Sequence, residues 1–358
     1  MNLYENRPRF DATSESRKLE YFWDRCMPGR IDADAIKRRT REKIACEERL
    51  YRRTIVWRVA MTVAASLVLG VSTLWFMYDA PREVTGEILV AAAARSDFGA
   101  ISEITLFTSE GSMALGGEVD VHYSSDGKPA FGAQTAVKGS SAEALPDAGC
   151  DQLLVPAGKR ARIALADGTT LVVNSRSKVV FPRRFAGAER TIYAQGEVYL
   201  EVAHDTEHPF IVEADDFHLQ VLGTKFNISN YEGVPASVVL VEGAVAVTDR
   251  CDGQVRMAPD DYLAITDGAI SERRKVDAGL YVSWTNGIIR LDGSTLESVV
   301  QRLSLYYDVP IHCHPQVGER KILGKLVLKE DVEEVLRSIR NIWPMTIERS
   351  EQGIYLNK

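Results

Sequence analysis

The residues able to do chemistry fall into two short strings. His204, Asp205, Glu207 and His208 bring two imidazoles and two carboxylates within five positions, a donor set that zinc accepts. They stand in a turn between two alternating runs, where the simpler reading is a solvated polar turn. His312, Cys313 and His314 form the second string, but neighbours in a strand point to opposite faces, which would split such a ligand set. Cys26, Cys46, Cys150, Cys251 and Cys313 have the spacing of neither a zinc ribbon nor a C-x-x-C redox pair. No G-x-S-x-G, H-E-x-x-H or phosphate-binding glycine loop occurs. The expectation is a protein that works by contact rather than by catalysis, with no metal or cofactor.

The elements that position these residues divide around one apolar segment. Residues 59–78, VAMTVAASLVLGVSTLWFMY, carry no charge over a length that as a helix crosses a hydrocarbon layer of about 30 Å. Trp57 flanks one end and Trp75, Phe76 and Tyr78 the other, as interfacial aromatics do. The chain has 358 residues and a net charge of −7, unevenly shared. Residues 1–58 hold 15 Lys/Arg against 10 Asp/Glu, and residues 79–358 hold 28 against 40. Nine of the basic residues lie between Lys37 and Arg58, whereas only Arg82 and Arg95 lie between Asp79 and Phe98. The positive-inside rule therefore predicts a single-pass protein of a bacterial inner membrane, with a cytoplasmic N-terminus and periplasmic C-terminal domains. Cys150, Cys251 and Cys313 then face an oxidising compartment, which permits one disulfide and leaves one thiol over.

In residues 1–58, Thr13 or Ser14 can cap a helix whose Leu19, Phe22, Trp23 and Cys26 share one face, and Pro28-Gly29 stops it. A second helix starts at Asp32, with Ile31 and Ile36 placed as a staple, and is mostly charged. So short a segment with so few large apolar groups cannot bury a core of its own, so the aromatic face either packs back on the second helix or folds against a protein partner. The ten interspersed acids argue against direct nucleic-acid binding; topology and contact with membrane lipid are sufficient reasons for the basic run.

From about Glu87 to residue 280, short alternating runs separated by Gly, Asp and Asn predict an all-β region, a sandwich or stacked β-roll. Asp167-Gly168 sits between two such runs as a hairpin turn. EITLFTSEGSMAL, from Glu103, repeats the strand, acidic-Gly turn and strand of RIALADGTTLV, from Arg162, and would add a sheet layer. Residues 126–152, rich in Gly, Ala, Ser and Pro, read as a loop or linker. After Trp284 the pattern becomes that of a small α+β domain of β-α-β-β-α-β type, with one helix from Ser294 to Tyr307 and another in DVEEVLRSIRN.

Four ordered strings, LADGTTLVVNSRSKVVFP (165–182), ERTIYAQGEVYLEVAHDTEHPFIVEA (189–214), LQVLGTKFNISNYEG (219–233) and VVLVEGAVAV (238–247), resemble the periplasmic domain of the FecR family of anti-sigma factors. Ala166 stands where the family has Pro and Leu200 where it has Phe. Asp167, Gly168, Asn174, Gly196, Glu197, Gly223, Thr224, Phe226 and Gly243 are the motif positions, read as scaffold: glycines for turns and close approach, Asn174 for its own turn backbone. The C-terminal domain is similar to the module related to the short domain of secretins and TonB-dependent receptors.

The organisation that follows is a cytoplasmic helical segment (1–58), a transmembrane helix (59–78), a β-rich membrane-proximal region and linker (79–152), a FecR core (153–250), a β-rich connection (251–283) and the α+β domain (284–358). The resemblance implies that an extracytoplasmic-function sigma factor is held in the cytoplasm and a TonB-dependent transporter's periplasmic signalling domain is read outside, with regulatory proteases as possible further partners. Leu19, Phe22 and Trp23 are the expected sigma-binding residues. The rival is a membrane-anchored periplasmic protein that binds glycan or envelope without regulating transcription.

Overall fold

The computed structural model describes residues 16–21, 33–78, 84–94, 98, 101–141 and 149–358. Two compact units comprise it, Met1–Ala80 and Pro81–Lys358.

In the first unit, residues 16–21 are helical and Leu19 is 57% exposed. Phe22 and Trp23 lie outside the described residues. The charged helix expected from Asp32 and the charge-free segment are one helix, α1 (Ala33–Tyr78). Met61, Leu67, Val68, Leu69 and Val71 stand exposed along it. Among the described residues no helix is long and apolar enough to cross a membrane.

The second unit begins with a difference from expectation. Glu87 does not open the β region: α2 (Gly86–Ala93) is a helix. Its alanine run favours helix, and Leu89, Ala92 and Ala93, at i, i+3 and i+4, bury one face against Cys150, Val180 and Tyr193. Lys178 closes its C-terminal end, Nζ donating to the Ala93 carbonyl at 2.8 Å.

Eighteen strands follow: β1 (Ile104–Thr108), β2 (Gly111–Gly117), β3 (Val119–Tyr123), β4 (Pro129–Phe131), β5 (Thr135–Ser141), β6 (Cys150–Val155), β7 (Ala161–Ala164), β8 (Thr170–Val173), β9 (Ser177–Pro182), β10 (Arg190–Glu201), β11 (Phe210–Glu213), β12 (Phe217–Val221), β13 (Lys225–Asn230), β14 (Ala236–Glu242), β15 (Val245–Asp249), β16 (Gln254–Met257), β17 (Asp261–Thr266) and β18 (Ala269–Lys275). Their pairings form two layers. One runs β5-β2-β1-β6-β9-β10-β11-β12-β15-β16. The other runs β4-β3-β7-β8-β10-β13-β14-β17-β18. Strands β1–β2, β5–β6, β9–β12 and β15–β16 lie in the first layer and β3–β4, β7–β8, β13–β14 and β17–β18 in the second, which the latter half of β10 joins, and this alternation makes a β-roll. Leu106, Leu153, Phe181, Phe210, Phe226 and Leu240, all fully buried, are part of the core between them. The segments 103–115 and 162–172 are both hairpins, β1–β2 and β7–β8, in opposite layers. Two stretches expected to be linker or connection supply strands to the same layers: β4, β5 and the start of β6 within 126–152, and β16 to β18 within 251–283.

Among the described strands only β10 belongs to both layers. Its first half pairs with β9 and β11, and from Gly196 onward it pairs with β8 and β13. Gly196 makes the change of direction at φ 89°, and a Cβ there would lie 2.7 Å from the Arg176 carbonyl oxygen.

A short helix α3 (Ala278–Val282) and a 3₁₀ turn (Ser283–Asn286) lead into the C-terminal module. It comprises β19 (Ile288–Thr295), α4 (Leu296–Tyr307), β20 (Ile311–Cys313), a helical turn α5 (Pro315–Gly318), β21 (Lys321–Val327), α6 (Val332–Ile342), β22 (Thr346–Ser350) and β23 (Gly353–Asn357). Thr295 and Asp331 cap the two longer helices through the backbone N–H groups of Ser298 and Glu333. The strands form two small sheets: β19 antiparallel to β21, and β20-β23-β22 with β20 parallel to β23. The module has a core of its own, built on Val299, Val300, Leu303, Val335 and Leu356.

Replacing Gly196 by Ala adds a left-handed backbone cost to a steric clash, and is expected to lower stability by about 3 kcal/mol. Gly233→Ala shares a positive φ of 74° but meets open space, and should cost about 1–2 kcal/mol. Denaturant unfolding of the two variants, compared in midpoint and slope, checks the difference; equal losses would remove the corner role of Gly196.

Candidate functional site

The side chains of β8, β10 and β13 alternate between the roll's core and its outer surface. Leu171, Val173, Val198, Leu200, Phe226 and Ile228 point in. Glu197 and Asn227 occupy the outer face, beside Asn174 at the end of β8. Asn174 Nδ2 donates to Glu197 Oε2 at 2.6 Å, and Asn227 Nδ2 donates to Glu197 Oε1 at 3.0 Å. Asn227 Oδ1 in turn accepts the indole N–H of Trp284 at 3.1 Å. Trp284 is 1% exposed and belongs to the 3₁₀ turn that introduces the C-terminal module. Arg160 of the roll holds the carbonyl of the same tryptophan at 2.6 Å.

A second set of bonds joins the roll to the end of α4. Gly158 N donates to the Tyr306 carbonyl at 2.8 Å, the Ser175 hydroxyl donates to the same carbonyl, and the Tyr306 hydroxyl donates to the Gly158 carbonyl at 3.2 Å. Arg176 pairs with Asp308 at 3.0 Å. Tyr231, buried beneath, donates to the Ser175 carbonyl at 2.9 Å, and burial raises its hydroxyl's pKa.

Between these contacts lies a cleft of about 720 Å³, floored by Asn174, Glu197, Asn227 and Trp284 and walled by α4. Burial raises the Glu197 carboxyl above its usual 4.5, while Arg302 across the cleft and the amide and indole donors pull it the other way.

The motif positions separate into two groups. Asn174 and Glu197 meet at the joint; the expectation that Asn174 bonds its own turn is corrected, because its N–H₂ is taken by Glu197 and its backbone N–H by the Glu197 carbonyl at 2.9 Å. The others are scaffold. Asp167 closes the β7–β8 turn through Thr169 N at 3.0 Å and pairs with buried Arg190 at 2.7 Å, and Gly168 N donates to the Leu165 carbonyl in the same turn. Gly223 sits against His204, where a Cβ would fall 2.7 Å from the His204 Cα. The Thr224 hydroxyl donates to the Ala244 carbonyl at 3.0 Å, beside Gly243, and Phe226 is fully buried.

The two donor strings have local roles. Asp205 accepts from the N–H groups of Glu207 and His208 and from the His208 ring at 2.9 Å, which together hold its carboxyl down to about 2. His312 stacks on Tyr355, and His314 Nδ1 caps α5. Burial pushes the Cys313 thiol up to about 11. Cys251 is exposed and Cys313 partly buried. Sequence reasoning missed Trp284, Arg160, Tyr306 and Arg302 as partners of the motif; a buried-type tryptophan at the change of pattern was the available signal.

The roll's motif residues Asn174 and Glu197, through Asn227, secure the tryptophan that leads into the C-terminal module. Residues 151–246 match the family model described as "FecR protein", and residues 288–356 match the model described as "FecR, C-terminal". Over these two regions the chain is of the FecR family. No curated protein matches it. Two crystal structures of a candidate anti-sigma factor from Parabacteroides distasonis ATCC 8503, at 2.50 and 1.65 Å resolution, are similar to it. Each has 26% identity and a TM-score of 0.49 over 58% of this chain and 99% or 98% of that one.

Because Glu197's folded-state value is raised, its stability contribution is complete below the unfolded value of 4.5 and is lost as pH rises through the folded one. Glu197→Gln removes that dependence, and Asn174 can rotate its amide to accept from the new N–H₂. Urea melts at a series of pH values should show the wild type losing stability relative to the variant as pH rises from about 4.5 toward neutrality. Parallel curves would mean that the carboxyl is not buried in solution.

Proposed function

We propose that this chain is a single-pass inner-membrane anti-sigma factor. Its N-terminal segment holds an extracytoplasmic-function sigma factor in the cytoplasm, and its roll and C-terminal module receive a signal in the periplasm from the signalling domain of a TonB-dependent transporter. The observation that carries the reading is the order of parts: both FecR regions follow the charge-free segment 59–78, and the basic, aromatic-faced segment precedes it. The twenty charge-free residues at 59–78 support a crossing, and the nine basic residues before them support the orientation. Contact with the transporter is supported by the C-terminal module, where β21 is paired with β19 alone among the described strands and exposes Leu323 (72%) and Val327. Release of the sigma factor proceeds by domain rearrangement or by cleavage by regulatory proteases. The segment makes no direct contact with nucleic acid.

Full-length protein co-expressed with each extracytoplasmic-function sigma factor of the host should retain one of them on purification, and deleting the gene should change that factor's transcriptional output. Phe22→Ala with Trp23→Ala should weaken capture at least about tenfold, equivalent to about 1.4 kcal/mol, without altering membrane fractionation. Retention of no sigma factor together with unchanged transcription would favour an envelope-binding protein.

A further inference from the structure

The cleft between the roll and α4 has a use that relaying a protein contact does not require. Its volume of about 720 Å³ lies within the roughly 300–1,000 Å³ of small-molecule sites. Each of its walls is held by other contacts. The floor is fixed by the Asn174–Glu197–Asn227–Trp284 chain of hydrogen bonds. One side is a tyrosine pair, Tyr262 and Tyr281, with ring centroids 5.5 Å apart. Arg274 fixes both rings, lying 4.2 Å over Tyr262 and donating to the Tyr281 hydroxyl at 2.9 Å, and is itself anchored to Glu272. Ser229 and Ser237 face each other across β13 and β14, and Ser298 and Arg302 line the cleft from α4.

Two features select the ligand chemistry. Arg302 makes no hydrogen bond or ion pair among the described residues, and its charge faces Glu197 across the opening. One cation on a wall and one acid at the floor give a guest of either net charge one like and one opposite partner, so the cleft selects for neither sign. Hydroxyls and a guanidinium on two walls, with half-buried aromatic rings on another, match a guest that is polar at its edges and carries C–H faces. We infer that this cleft binds a neutral saccharide, a di- or oligosaccharide bridging β13–β14 of the roll and α4 of the C-terminal module. Its occupancy would stabilise the domain arrangement seen here, giving the regulator a soluble input besides its protein contacts. The inference stands on the cleft alone and does not depend on which sigma factor or transporter is engaged.

The test uses full-length protein in lipid nanodiscs, which avoids glycosidic detergents. Titration calorimetry with maltose, cellobiose, xylobiose, lactose, mannobiose and chitobiose at up to about 10 mM fills any site with a Kd below about 1 mM. Binding of at least one of them is expected, weakened at least about tenfold by Tyr262→Ala and by Arg302→Ala. Because Arg302 also acts on the Glu197 carboxyl, Arg302→Lys, which keeps the charge but loses the guanidinium, is compared with Arg302→Ala in binding and in thermal melts, while Leu323→Ala should bind normally. Hydrogen exchange should show saccharide-dependent protection confined to residues 229–237 and 298–302. Three outcomes overturn the inference: no binding across the panel, binding of digalacturonate or a neutral tripeptide in preference to every neutral saccharide, or saccharide binding that both cleft variants leave unchanged.

Discussion

The architecture of the second unit depends on one strand changing layers. The chain crosses between the roll's layers through loops at several points and, within β10, on continuous paired backbone. β10 pairs with β9 and β11 up to Gln195 and with β8 and β13 from Gly196, so both ladders converge on one residue in the left-handed region. Only glycine takes φ 89° there without a Cβ meeting Arg176 and Ser177. The next residue is thereby committed to the outer face of the second layer, with Val198 and Leu200 directed to the core. The sheet corner and the anchor of the C-terminal module are thus adjacent positions, and the geometry of one fixes the other.

That anchor is a carboxylate held by two amides, an arrangement whose value lies in direction more than in strength. Burying a charge has a cost that hydrogen bonds only partly return, so an apolar residue at 197 could pack as tightly. What it could not do is orient Asn227. Both oxygens of Glu197 accept from amide N–H₂ groups, so Asn227 must present its carbonyl oxygen outward, and the Trp284 indole donates to it. Only one seating of the module satisfies that chain. The neighbouring Arg176–Asp308 pair is partly exposed and adds little to this choice, since solvent screens such pairs to about 0–1 kcal/mol.

Local patterns were legible because their causes are local. The β7–β8 and β1–β2 hairpins announce themselves through an acidic-Gly turn between alternating runs, and α4 and α6 through apolar residues at three- and four-residue spacing. α2 was not legible, because Ile-Leu-Val ahead of three alanines suits a strand as well as a helix until Val180 and Tyr193 supply the surface that its buried face covers. β5 hides in the glycine- and serine-rich stretch because all but one of its residues are exposed, so no burial pattern marks it. The joint was the hardest to foresee: positions 174, 197, 227 and 284 read singly as turn residue, strand polar residues and domain boundary. Their hydrogen bonds join residues 23 to 57 positions apart, beyond any periodicity.

The joint also sets the terms on which the module can move. The roll and the module bury separate cores, and Trp284 belongs to neither. Displacing the module therefore leaves both cores intact and exposes chiefly the tryptophan and the polar groups around Glu197. Burying a tryptophan removes about 150–250 Å² from water, roughly 4–6 kcal/mol at about 25 cal/mol per Å², an upper bound on that part of the cost. Couplings between sites typically run to about 1–3 kcal/mol, so one binding event would shift a joint of this strength partway rather than detach it. A signal acting here would have to combine two inputs, or use a contact made only after Trp284 has left its seat, and in either case the Glu197 carboxylate regains water at the same moment and offsets part of the loss.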